Sequence, residues 1–206
     1  MKVLFRTDAS VQIGSGHVMR CLTLATALAP YADCEFICRA ESGHLADVIR
    51  QQGFNVQLLA ADTPLQQQQD AIATIDVIGH NYDLLIIDHY QLAAEYETLL
   101  RPYCQHMMVI DDLANRRHDC DILLDQNLLP DTIQRYKHYV PAHCLQLLGP
   151  KYALLRDEFY HSTNTSTERN HLLVFFGGAD ADNLTSRTLL ALQQFKFSAL
   201  TADIVI

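Results

Sequence analysis

The stretch Val3-Leu4-Phe5-Arg6-Thr7-Asp8-Ala9-Ser10-Val11-Gln12-Ile13-Gly14-Ser15-Gly16-His17-Val18-Met19-Arg20 carries three signals in a row: a short apolar run, a loop with two glycines, and the start of a helical period. Val3–Phe5 reads as a buried strand. From Ser15 to Ala29, Val18, Leu22, Ala25 and Leu28 recur at spacings of three and four, one apolar stripe of a helix. A strand, a glycine turn and a helix in that order are the first half of a βαβ unit, which calls for a parallel sheet covered by helices.

Working outward, the same rhythm repeats. Strands are predicted at Val3–Phe5, Cys34–Cys38, Val56–Leu59, Leu84–Ile87, Met107–Ile110, Ile122–Leu124, Cys144–Leu148, Leu172–Phe176 and Ile204–Ile206. Further helices are predicted at Leu45–Gln52, Pro64–Ile78, Ala93–Leu100 and Asn183–Gln193, with Gln66–Gln69 a solvated helix face. The fold class is α/β. Over 206 residues, 49% are hydrophobic and 19% charged, enough apolar surface to offset the entropy lost on folding. The net charge of −9, with no dense Lys/Arg run, argues against a nucleic-acid partner. The apolar run before Arg6, Val3–Phe5, is only three residues long, too short for a secretory h-region, and no apolar run approaches the ~20 residues of a membrane helix, so a soluble, cytoplasmic protein without a membrane partner is expected. Cys21, Cys34, Cys38, Cys104, Cys120 and Cys144 form no CxxC pair and read as buried reduced thiols.

Composition breaks at His161–Asn170, where Ser162 to Thr167 offer nothing to anchor a core. Beyond it the strand, glycine turn and helix pattern restarts. The expected organisation is an N-terminal domain over 1–160, a linker over 161–170, and the opening of a second domain over 171–206, of which the rest is missing, consistent with a domain size of about 160 residues.

In the first loop, Gly14 and Gly16 flank Ser15 where the helix begins. Glycines let backbone approach a ligand, and free N–H groups of a first helical turn favour an anion. An ordinary tight βα connection fits the same residues, and the GxGxxG fingerprint is absent, because His17 follows Gly16 directly and Arg20 takes the place of the third glycine. His17 is expected in the first helical turn, at the mouth of the loop rather than on the apolar stripe, where the positive end of the helix disfavours imidazolium and keeps a neutral base. Polar residues follow three successive strands: Asp88-His89-Tyr90, Asp111-Asp112 and Asp125-Gln126-Asn127. In open α/β sheets ligands gather at such strand ends, although each group alone also reads as a turn former or helix cap. The adjacent Asp111 and Asp112 should diverge in direction, which argues against a paired-carboxylate site. Phe176-Gly177-Gly178-Ala179-Asp180 repeats the glycine turn and suggests a second anion site facing the first.

Taken in order, Arg6–Ser10, Ile13–Arg20, Ile86-Ile87-Asp88-His89-Tyr90, Ile110–Leu113, Cys120–Asn127, Gly149–Phe159 and Phe176–Asp180 span almost the whole chain. This ordered set resembles the UDP-2,4-diacetamido-2,4,6-trideoxy-β-L-altropyranose hydrolases of pseudaminic acid biosynthesis. The resemblance implies a glycosyltransferase-B-like architecture of two Rossmann-type halves, similar to the enzyme that transfers N-acetylglucosamine to make lipid II. It implies release of UDP from the sugar with inversion at C1, without a metal or other cofactor. The family's catalytic histidine falls on His17 and its diphosphate loop on Gly177 and Gly178, while a further stretch in family members completes the second half and supplies the uridine pocket. Beside these, Gly14, Ser15 and Gly16 are expected to accommodate the ligand and Arg20 to touch sugar or phosphate. Asp88, His89, Tyr90, Asn127, Tyr152 and Arg156 are candidates for the sugar pocket. A transferase using the same cleft, and a sugar-binding N-terminal domain without turnover, are the competing readings.

Overall fold

The structure is a computed structural model that describes residues 1–129, 132–161, 170–177, 180, 182–195 and 200–205, with only the backbone of 132 and 133. Among these, β1 (Lys2–Thr7), β2 (Asp33–Arg39), β3 (Asn55–Leu59), β4 (Tyr82–Asp88), β5 (Cys104–Ile110), β6 (Ile122–Asp125) and β7 (Leu145–Leu148) lie parallel in one sheet. The order is β3-β2-β1-β4-β5-β6-β7. The connecting helices are α1 (Gly16–Leu28), α2 (Ala46–Gln51), α3 (Gln67–Val77), α4 (Ala94–Leu100) and α5 (Thr132–Arg135).

The central strands are apolar on both faces because both are covered. Val3 and Phe5 of β1, Ile86 of β4 and Met108 and Ile110 of β5 pack with Val18, Cys21, Leu22 and Ala25 of α1. The alternating residues Leu4, Leu85, Ile87, Met107 and Val109 pack on the other face with Ala71 of α3 and Tyr96 and Leu100 of α4. A side chain reverses face at every step of a strand, so two full sets of apolar residues are needed to seal the sheet on both sides.

The chain runs outward from β1 through β2 to β3, then returns to the other side of β1 to place β4. This Rossmann-type reversal opens a crevice at the carboxyl ends of β1 and β4. There Thr7 pairs in register with Asp88.

Past the predicted linker, of which 162–169 lie outside the described residues, β8 (His171–Val174) and β9 (Thr201–Ile204) form a separate parallel pair with α6 (Leu184–Leu192) between them. Several expectations need correction. The strand predicted over Leu172–Phe176 stops at Val174 and is not fully buried, with Leu173 72% exposed, because β8 has one partner strand among the described residues. The last strand covers Thr201–Ile204 and not Ile204–Ile206; Val205 is outside it and Ile206 is outside the described residues. The helix predicted from Pro64 begins at Gln67, since Gln66 is still extended. The Gln66–Gln69 run is mostly solvated, yet Gln67 Oε1 accepts the backbone N–H of Ala93 and so closes the start of α4. All six cysteines are free thiols, and Cys104 alone among them is partly exposed.

Candidate active site

β1 delivers its last residues into the crevice in a fixed alternation. Arg6 shares the face of Leu4 and meets α3, where Nε and Nη2 donate to the two carboxylate oxygens of Asp70 at 3.0 and 2.8 Å. Its Nη1 donates to Asp8 Oδ1 at 2.6 Å, which also accepts the backbone N–H of Arg39. Burial opposes charge on Asp8, but Arg6 and then His89 outweigh it and hold the carboxyl well below the ordinary range. A fully buried arginine between two buried carboxylates thus fixes where β1 ends.

The loop that follows closes on itself. Ser10 Oγ accepts the N–H groups of Gln12 and Ile13, the Ser10 carbonyl accepts that of Gly14, and Gly14 turns through a φ of 78°. Glycine is suited to that left-handed conformation. A second glycine braces the loop from outside: the Val11 N–H donates to the Ser42 carbonyl, and a Cβ on Gly43 would lie 2.8 Å from Val11 Cγ2. α1 then begins at Gly16 with no side chain capping its first turn and no acidic residue in it.

His17 occupies that first turn. Contrary to expectation it lies on the buried face of α1 with Val18, Cys21, Leu22 and Ala25, only 6% exposed. The reason is Asp88, which ends β4 fully buried beside β1 and takes the ring: His17 Nδ1 stands 2.6 Å from Asp88 Oδ1. An ionised carboxylate only accepts, so its partner nitrogen carries the ring proton, a tautomer assigned from this contact. The lone pair is then on Nε2. Arg20, one turn along α1, forks onto the same carboxylate, with Nε donating to Oδ2 and Nη2 to Oδ1, both at 2.5 Å. Burial pushes Asp88 up; Arg20 and then His17 outweigh burial and keep its carboxyl below the ordinary value. Tyr90 meets the His17 ring edge-on at 4.4 Å between centroids, and its hydroxyl donates to Asp112 Oδ2 at 3.3 Å.

His89 forms a second histidine–aspartate contact beside the first. Its Nδ1 accepts the Gln91 N–H, so Nε2 carries the proton and faces Asp8 Oδ2 at 3.3 Å. Burial pushes the His89 imidazole below its ordinary value. The two rings lie 6.5 Å apart.

The structure brings the two glycine turns together. Gly14, Ser15 and Gly16 face Phe176 and Gly177 across a cavity of about 460 Å³. Gly177 has a φ of 82°, while Gly178 lies outside the described residues. The start of α6 is not open to an anion as expected: the Asp180 carboxylate already accepts the N–H groups of Leu184 and Thr185. The Thr185 side chain and then these backbone N–H groups hold the Asp180 carboxyl below its ordinary value.

Other predicted residues sit elsewhere. Asp88 is buried, with its two oxygens engaged by His17 and Arg20. Arg20 forks onto Asp88 and stands 3.7 Å from Asp112. Asn127 follows β6, two strands away from β4, with its N–H on Asp125 Oδ1. Tyr152 packs against the α1 side of the core. Arg156 lies over the Phe159 ring and lines a groove of about 560 Å³ on the outer face of α1, with Met19 and Thr23. Asp111 and Asp112 do diverge: Asp111 turns inward to Arg116 and Tyr136, Asp112 outward to Tyr90 and Arg20. Asp8 had no role assigned from sequence, and Asp112 was read only with Asp111 as a strand-end pair. Among the described residues no group of three or more His, Cys, Asp or Glu is placed to hold a metal ion, and no helix is long and apolar enough to cross a membrane.

No protein-family model matches the chain. Over 205 residues, 98% of its length, it is 32% identical to the UDP-2,4-diacetamido-2,4,6-trideoxy-beta-L-altropyranose hydrolase of Campylobacter jejuni, 70% of which the match covers. The chain belongs to that hydrolase family. An uncharacterized protein of Methanocaldococcus jannaschii is 28% identical over 199 residues, 92% of the chain and 39% of that protein. Among solved structures, MurG of Acinetobacter baumannii aligns with a TM-score of 0.57 over 99% of this chain and 67% of its own, at 10% identity. That likeness fixes the glycosyltransferase-B-type fold alone. In this member of the hydrolase family the oriented imidazole stands where the reversal of strand order opens the sheet, the usual position for a ligand in such folds.

Proposed function

We propose that the protein hydrolyses a UDP-linked diacetamido-trideoxy sugar to UDP and free sugar, with inversion at C1 and without a metal, as a cytoplasmic step of pseudaminic acid biosynthesis. The observation that carries this reading is the His17–Asp88 contact, which holds Nδ1 on the carboxylate at the carboxyl ends of β1 and β4 and leaves Nε2 as the ring nitrogen not bound to it. UDP is a good leaving group, so the reaction needs an activated water and a site for diphosphate charge more than a strong acid. His17 Nε2 takes a proton from water as its oxygen bonds to C1. The C1–O bond to UDP breaks with its electron pair leaving on the diphosphate, and this single displacement inverts the centre. Asp88 keeps the ring aimed and offsets the charge it gains, as the carboxylate of a catalytic triad does. Gly14, Ser15 and Gly16, with the uncapped start of α1, and Gly177 opposite them would receive the diphosphate. Residues 1–160 would form the N-terminal domain and 171–206 the beginning of the second.

His17→Asn tests the assignment. UDP release, followed by phosphorus NMR, should fall to background while UDP affinity by calorimetry stays within about twofold, since general-base catalysis contributes roughly 10²–10⁴-fold. Turnover at the wild-type rate would reject it. UDP formed from nucleotide sugar with water as the sole acceptor selects hydrolysis over transfer, and the anomeric proton of the released sugar reports inversion. Turnover unchanged by EDTA supports the metal-free course.

A further inference from the structure

Arg20 commits the fork of its guanidinium to Asp88. Nε and Nη2 fork onto Asp88, Nη2 also lies 3.2 Å from His17 Nδ1, and Nη1 is 3.7 Å from Asp112 Oδ2. The side chain is 14% exposed. Burial alone would weaken the guanidinium's charge, yet its bonds to Asp88 hold that charge more firmly than in water. Facing His17 are Arg20 from α1 and Asp88, His89 and Tyr90 from the end of β4; Cys21 of α1 meets Asp88, and Asp112 after β5 stands against Arg20. His89 is neutral there, and the charge of Asp8 behind it is offset by Arg6. Around a neutral His17 the near charges are two carboxylates and one guanidinium, a net of −1. Without Arg20 the net is −2, and a protonated ring gains correspondingly.

We propose that Arg20 is a positioning residue that holds Asp88 and cancels part of its field at His17, acting on the ring through this carboxylate rather than through the ligand. This rests on the reading of His17 as the base. Unit charges a few ångströms apart in a partly buried site interact strongly enough to move a titration by more than one pH unit.

Three variants of the full chain test it. In Arg20→Gln the carboxylates act on His17 unopposed, so the acid limb of kcat/KM should move to higher pH by about one unit or more. The nitrogen NMR titration of the His17 ring should move with it. Arg20→Lys keeps the charge and loses the fork: the limb should stay within about 0.3 unit while kcat falls several-fold, and UDP affinity should be unchanged in both variants. A limb and ring titration unmoved in Arg20→Gln, or a tenfold loss of UDP affinity in Arg20→Lys, overturns the proposal in favour of a ligand contact. If circular dichroism shows Arg20→Gln unfolded, the UDP affinity of Arg20→Lys decides alone, retention supporting and tenfold loss rejecting. His17→Asn separates the two claims: wild-type turnover in it rejects the base, while the ring titration in Arg20→Gln still reports what Arg20 does to His17.

Discussion

His17 depends on a residue 71 positions away, and that dependence can be measured. Asp88→Asn keeps the size of the side chain but offers one acceptor and a competing donor. The ring loses its fixed tautomer, so kcat should fall by about 10²–10⁴-fold with KM little changed in steady-state assays, as for triad carboxylates. The same change leaves Arg20 without its carboxylate, so a lowered melting temperature should accompany it. His89 gives a pH dependence of stability. Its folded-state pKa lies below the ordinary 6.5, so the unfolded chain binds the extra proton first as pH drops. Stability should therefore fall as pH decreases through about 6.5 in urea titrations, and His89→Gln should remove that component. Asp88, held below its ordinary 3.8, acts later in the same direction: its contribution is present above 3.8 and is lost as pH falls through its lower folded value.

At the scale of elements, the β1–α1 loop is held by its own serine and by a neighbour, and the two glycines separate these effects. Gly14→Ala meets nothing within 4 Å, so only its φ of 78° is penalised, roughly 1–2 kcal/mol. Gly43→Ala has a φ of 83° and also brings a Cβ within 3.0 Å of the Val11 backbone nitrogen. It should cost roughly 2–4 kcal/mol by urea unfolding and slow turnover by displacing the loop. The glycine turn was legible from residue type because conformation at such positions is a local matter. The occupant of the α6 N-terminus was not: Asp180 reads as one more polar residue after the turn, and only the left-handed backbone at Asp180 and Asn183 folds its carboxylate back onto Leu184 and Thr185.

For the molecule as a whole, both apolar clusters draw on residues up to Leu154, and none on the β8–α6–β9 unit. A chain ending at residue 161 should therefore keep its melting temperature within about 2 °C in calorimetry; a large drop would mean that the second unit supports the first. The sequence by itself determined the parallel sheet, the approximate places of the strands among the described residues, with the last two misplaced at their ends, and the glycine turn before α1, because strand and helix periods and turn conformations depend on residues near one another in the chain. Tertiary structure alone decided which polar residues meet. The reversal of strand order sets β4 beside β1, and that adjacency turns Asp88 from a candidate sugar contact into the anchor of His17 and consumes Arg20 on the same carboxylate. Such pairings are long-range, and what fixes them is the burial of a charge that must find its partner, which no local pattern encodes.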